Sequence, residues 1–172
     1  MRAADAGLDK KGVAEPPLAA VALGSNMSSG FGDREANLRE AVRRVGELGR
    51  VVAVSTFYDT EPVGTISQPR FLNGAMLLES RVAAAELMQE LLAVELGMGR
   101  VRDPAIVKGP RIIDLDLLLF GNLVVVTSEL TLPHPAMQER RFVLEPLAEI
   151  APEMMHPVVG MTVSEMLDRV SW

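Results

Sequence analysis

The 172-residue sequence contains no cysteine. Disulfides, thiolate metal ligands and a cysteine nucleophile are therefore all excluded, and the chain suits a reducing cytoplasm. Histidine is almost as scarce: His134 and His156 stand alone, each among prolines, and each reads first as a structural residue. No apolar run approaches the roughly 20 residues that span a bilayer, so no membrane role is expected. The first 17 residues carry Asp5, Asp9, Lys10, Lys11 and Glu15 instead of a signal-like apolar stretch. They are expected to form a frayed extension ahead of a single domain over residues 18–172. Positive charge is also short, with 17 Lys and Arg against 23 Asp and Glu, a net charge of −6. That balance argues against broad neutralisation of nucleic-acid phosphates, so any anion site must be a local basic cluster. The spaced-glycine phosphate loop is absent too. What remains is ordinary globular material, 48% hydrophobic and 23% charged, expected to act as a monomer on small molecules.

Leu18 to Leu23 is a short apolar run stopped by Gly24-Ser25-Asn26, which reads as a buried strand. Asp33 is placed to cap a helix in which Leu38, Ala41, Val42, Val45 and Leu48 share one face, with Gly49 as its stop. Arg50 to Glu61 and Phe71 to Ser80 are rich in strand-forming residues, separated by a Pro- and Gly-marked loop over 62–69. Ala83 to Met98 is again amphipathic, and Ile112 to Phe120 is the most apolar strand. Gly121-Asn122 offers a hairpin turn into Leu123 to Val126. The order β-α-β-β-α-β with a hairpin strand predicts an α+β, ferredoxin-like antiparallel sheet with two helices on one face. Residues 133–172 are expected to add short helices at the end of the sheet.

Asp114 and Asp116 are the strongest local signal. Residues i and i+2 of a strand point to one face, so two carboxylates project side by side from a strand otherwise built for burial. Mg²⁺ would satisfy such a pair; on spacing alone a salt-bridged pair is the alternative. Just upstream, residues 97–111 place Arg100, Arg102, Lys108 and Arg111 among Gly and Pro, the composition of a basic lid or of a merely solvated loop. Arg111 lies three residues before the acidic pair, and cations for phosphate beside carboxylates for Mg²⁺ describe a nucleotide phosphate site. Asn73 is a polar residue inside a strand pattern, a hydrogen-bonding role or the anchor of a neighbouring loop.

These pieces, in this order, resemble the 6-hydroxymethyl-7,8-dihydropterin pyrophosphokinases of folate biosynthesis. The resemblance rests on Ala22-Leu-Gly-Ser-Asn26, Phe57-Tyr58 with Thr60, and Gln68-Pro69 with Phe71-Leu-Asn73. It continues through Glu95, Gly99-Arg-Val-Arg102, Gly109-Pro-Arg111, Asp114-Leu-Asp116, Leu119-Phe-Gly121, Leu132-Pro-His134, Arg140 and Phe142. It implies that Asp114 and Asp116 hold two Mg²⁺ ions, and that Arg100 and Arg111 assist transfer. Glu95, Arg102, Leu117, Thr131, His134 and Arg140 would line the ATP side. Thr60, Val63, Phe71, Asn73 and Phe142 would hold the pterin. The implied reaction is attack of the pterin hydroxymethyl oxygen on the β-phosphorus of ATP, releasing AMP, with Asp114 a candidate to help remove the proton. Lys108 stands where relatives often carry an aromatic residue, and Pro135 follows His134 where some have one. Two rival readings share the predicted fold: a ligand-sensing module, which has no need of an acidic pair beside arginines, and an RNA-recognition domain, whose exposed aromatics and basic surface are missing.

Overall fold

The computed structural model describes residues 15–64, 67–101 and 109–170. Most of the expected N-terminal extension and most of the expected lid, Arg102 and Lys108 included, lie outside the described residues. The chain is a mixed α+β structure with an antiparallel sheet. Its elements are β1 (Leu18–Ser25), α1 (Arg34–Val45), β2 (Gly49–Val54), β3 (Tyr58–Thr60), β4 (Phe71–Ser80), α2 (Ala84–Gly97), β5 (Asp114–Phe120), β6 (Val125–Val126), β7 (Thr131–Leu132), α3 (Arg141–Ile150) and α4 (Val163–Arg169). The main sheet runs β2-β4-β1-β5, with β3 pairing the start of β4.

Helix α1 begins where the sequence predicts, with the Asp33 carboxylate accepting from Ala36 N at 2.9 Å. It stops three residues earlier than Gly49, passing through a short 3₁₀ turn at Gly46–Leu48. Gly49 is instead the first residue of β2, with extended backbone. Its glycine identity has a spatial cause, since a Cβ there would lie 2.0 Å from the Glu79 carbonyl oxygen. Gly49→Ala is expected to cost about 1–3 kcal/mol through this clash, lowering Tm by roughly 3–10 °C. Calorimetry showing an unchanged Tm would contradict the packing described.

The single strand expected over Arg50 to Glu61 is broken into β2 and β3. At the break the Ser55 hydroxyl accepts from Ala75 N at 2.9 Å, while Ser55 N donates to Ala75 O at 2.9 Å. A side chain thus replaces a backbone carbonyl in the ladder. The following Thr56 N donates to Glu149 of α3 at 2.6 Å, away from the sheet.

Alternation along β1 divides the core. Ala19, Val21 and Leu23 pack with Leu38 and Ala41 of α1 and with Leu87 and Leu91 of α2. Ala20 and Ala22 pack with Leu144 and Leu147 of α3 and with Val163 and Met166 of α4. Both faces of the sheet are covered, so α3 lies over β4 and β1 instead of at the sheet's end. A strand buried on both faces reads as a continuous apolar run, which is what Leu18 to Leu23 shows. The expected hairpin also differs: β6 pairs with β7, in a separate two-stranded sheet, and not with β5. Among the described residues no helix is long and apolar enough to cross a membrane.

Candidate active site

The parity of β5 decides where its chemistry goes. Leu115 and Leu117 enter the core under α1 and α2, so the alternate residues Asp114 and Asp116 face the other side, where they line an open cleft. Their neighbours across the ladder are Gly24 and Ala22. Small residues there leave the floor bare: a Cβ on Gly24 would lie 3.2 Å from Asn73 Oδ1 and 3.8 Å from Asp114 Cβ. The cleft holds about 610 Å³, solvent at its mouth included, and is lined by Thr60, Val63, Phe71, Asn73, Arg111, Asp114, Asp116, Arg140 and Phe142, with Glu61 at the edge.

Asp114 sits at the end of a chain of charges. Its Oδ1 accepts from Arg100 Nη1 at 2.9 Å and its Oδ2 from Arg111 Nη1 at 3.1 Å. Arg100 in turn bonds Glu95, which is 2% exposed and also accepts from Leu115 N at 2.9 Å. Glu95 therefore anchors Arg100 and the start of β5 from beneath. Glu95, expected on the ATP side, is buried behind Arg100 and is not among the residues that line the cleft.

Asp116 is different. His134 Nε2 lies 4.0 Å from its Oδ1. Burial, and then the charge of Asp114, push its carboxyl up to about 7, against the opposing pull of Arg140 and Arg100. His134 is shifted the other way, downward, by burial and by Arg140 against the charge of Asp114, which favours the neutral imidazole, and its Nδ1 accepts from Ala136 N at 3.3 Å. A folded carboxyl whose pKa is raised from 3.8 keeps its proton longer than the unfolded one, so stability is lost as pH rises through the window from about 4 to about 7. In metal-free buffer Asp116→Asn is accordingly expected to raise Tm relative to wild type at pH 8, with the difference vanishing near pH 4. Parallel Tm–pH curves for the two proteins would show that the strand does not load Asp116 in this way.

On the opposite wall Asn73 Nδ2 donates to Thr60 Oγ1 across the β3–β4 ladder. Phe71 lies under the Arg111 guanidinium at 5.7 Å and Phe142 under that of Arg140 at 5.8 Å, so each aromatic wall carries a cation on its face. The Leu117 side chain points into the α1/α2 core, so any contact it makes with ATP runs through its backbone. Thr131 lies in β7, outside the cleft lining. His156 holds backbone instead of ligand, its Nδ1 accepting from Val158 N and Val159 N at 3.2 and 3.1 Å. Sequence reasoning missed Glu61, whose only signal is adjacency to Thr60, and underrated Asn26.

The family described as 7,8-dihydro-6-hydroxymethylpterin-pyrophosphokinase matches residues 20–152. The chain belongs to that family. Among relatives, the 2-amino-4-hydroxy-6-hydroxymethyldihydropteridine pyrophosphokinase of Pseudomonas aeruginosa is 45% identical over 137 residues, covering 80% of this chain and 82% of the relative. The Bacillus subtilis protein of the same name is 42% identical over 139 residues, 80% of each chain. Folic acid synthesis protein fol1 of Schizosaccharomyces pombe is 37% identical over 155 residues, but those are 89% of this chain and only 20% of that one. A solved HPPK-DHPS of Plasmodium falciparum superposes with a TM-score of 0.68 at 15% identity, over 89% of this chain and 43% of its own, and supports the fold alone. Every residue lining the cleft falls inside the family match.

Proposed function

We propose that this chain transfers the terminal pyrophosphoryl group of ATP to the hydroxymethyl group of 6-hydroxymethyl-7,8-dihydropterin, giving AMP and the dihydropterin pyrophosphate in folate biosynthesis. The observation that carries the reading is a single cleft lined by two same-face carboxylates, two guanidiniums that lie over two aromatic rings, and an amide. The β-α-β-β-α-β order and the β2-β4-β1-β5 sheet support the finer ferredoxin-like description. The lack of cysteine suits a reducing cytoplasm, and the acidic balance suits an enzyme of small molecules over a nucleic-acid binder; we take it to act there as a monomer.

The donor set fits Mg²⁺. The ion takes oxygen ligands, usually one or two carboxylates completed by substrate phosphates and water, and no cluster of three or more acidic, His or Cys ligands is found among the described residues. Asp116 and Asp114 would hold the ions, and the elevated Asp116 pKa marks negative charge that lacks compensation. Bound there, Mg²⁺ would neutralise phosphate charge and lower the barrier to in-line displacement. Because protons and cations compete for Asp116, Mg²⁺ affinity in the ATP complex is expected to weaken below about pH 7.

The protein's own contribution is placement. Thr60 and Asn73 offer the pterin edge a hydroxyl and an amide, and Phe71 and Phe142 offer its faces aromatic surface. Arg111 stands between that surface and the carboxylates, where it can meet the transferring phosphoryl group, and Arg140 and His134 stand on the ATP side of Asp116. The new bond joins the hydroxymethyl oxygen to the β-phosphorus; the bond from that phosphorus to the bridging oxygen of the α-phosphate breaks, its electron pair leaves on AMP, and the hydroxyl proton is released to water. Alignment and charge neutralisation supply most of the acceleration. Asp114 is poorly placed to take the hydroxyl proton while Arg100 and Arg111 engage both of its oxygens.

Incubation with ATP, Mg²⁺ and hydroxymethyl-dihydropterin is the test. Stoichiometric AMP and pterin pyrophosphate are expected. Binding of the pterin without AMP would return the chain to the class of ligand-sensing modules.

A further inference from the structure

Asn26, the residue after β1, is 2% exposed and is engaged through both side-chain polar atoms and its backbone N–H. Its Nδ2 donates to Gln68 Oε1 at 2.9 Å and to Pro69 O at 3.0 Å. Its backbone N donates to Arg111 O at 3.1 Å, and its Oδ1 accepts from Arg111 N at 2.8 Å. The partners come from two segments remote in sequence. Residues 67–70 lead directly into Phe71 on the pterin wall. Arg111 is the phosphate-side guanidinium, and it lies over that same Phe71 ring. Neighbouring Ser25 is fully buried and fixed by Asn37 of α1, whose Nδ2 donates to Ser25 Oγ at 3.3 Å and to Met27 O at 2.7 Å. The joint is therefore tied to a helix as well as to a strand. A surface turn does not need such bracing.

We propose that Asn26 is a positioning residue for the transfer reaction, setting the Arg111 guanidinium relative to the pterin wall through its paired bonds to Arg111 and its amide bonds to the 68–69 segment. The inference rests on the assignment of Arg111 to the transferring phosphoryl group. Clasping the Arg111 backbone on both its N–H and its C=O fixes the direction in which the side chain leaves. Holding Pro69 from the same amide fixes the distance to Phe71. Displacements near 1 Å at a reacting centre can cost about 10²-fold in rate, so an amide that touches no substrate can still govern kcat.

A double-mutant cycle separates positioning from general support. Asn26→Ala, Arg111→Ala and the double variant are compared in kcat and in KM for each substrate, with Tm recorded for all. Asn26→Ala is expected to lower kcat about 10²-fold in the wild-type background and less than about threefold in the Arg111→Ala background. Equal losses of kcat in both backgrounds overturn the proposal. Wild-type kcat in Arg111→Ala itself overturns both the proposal and the functional role of Arg111, and so marks the failure of the underlying reading. If Asn26→Ala does not fold, the same cycle is run with Asn26→Asp, which keeps the shape and the acceptor for Arg111 N but loses both donors to the 68–69 segment. There the pterin KM is expected to rise more than kcat falls, and the KM effect should persist without Arg111. A loss confined to Tm, with both kinetic constants unchanged, refutes the assignment.

Discussion

Replacing Asp116 with alanine is expected to leave a folded protein whose turnover with ATP, Mg²⁺ and hydroxymethyl-dihydropterin falls by roughly 10³-fold or more, the scale of several kcal/mol of lost charge stabilisation. Two observations carry the expectation. Asp116 sits on the open face of β5, inside the cleft, with about a third of its side chain exposed. Its ionised form is disfavoured by burial and by Asp114, so the fold gains nothing from the charge and loses little when it goes. A variant that is inactive and at least as stable as wild type at pH 8 is thus the predicted pair of results, read from steady-state rates and a thermal scan. Wild-type turnover would remove Asp116 from the metal site. Collapse of the fold would mean that the carboxylate is structural after all.

Arg111→Ala is expected to lower kcat by about 10²–10³-fold while changing pterin affinity far less. The guanidinium touches Asp114 and covers one face of Phe71, but most of the pterin wall is provided by other residues. Removing it takes away a cation that meets phosphate charge as it moves. It also strips a counter-ion from Asp114, leaving two carboxylates closer to mutual repulsion. Single-turnover rates beside pterin binding measured by fluorescence separate the two effects. An unchanged kcat with weakened pterin binding would make Arg111 a wall residue only.

What could be read in advance follows from the range of each signal. The same-face geometry of Asp114 and Asp116 needs only the two-residue repeat of a strand, and the cap at Asp33 needs only three residues of local sequence. Both are present in the structure. The covering of the second sheet face was less accessible, although the uniformly apolar β1 hinted at it. Nothing local in Arg141–Ile150 says which surface it will meet. The break after Val54 depends on Ser55 reaching Ala75, twenty residues away, and the β6–β7 pair depends on a partner on the far side of a turn. Alternation places the Leu117 side chain in the core as surely as it places Asp116 in the cleft, so a contact implied by resemblance at Leu117 is left to its backbone. Asn26 looked like an ordinary turn residue because its partners lie 42 to 85 positions downstream.

The claim on which the rest depends is that Asp114 and Asp116 together gather divalent cation at the triphosphate. Electron paramagnetic resonance with Mn²⁺ as the probe, in the presence of an ATP analogue that cannot be cleaved between its α- and β-phosphates, counts the ions directly. Two protein-retained ions per chain are expected in the wild type, and none beyond those carried by the free nucleotide in the Asp114→Ala, Asp116→Ala double variant. Identical spectra and stoichiometry for the two proteins would contradict the account.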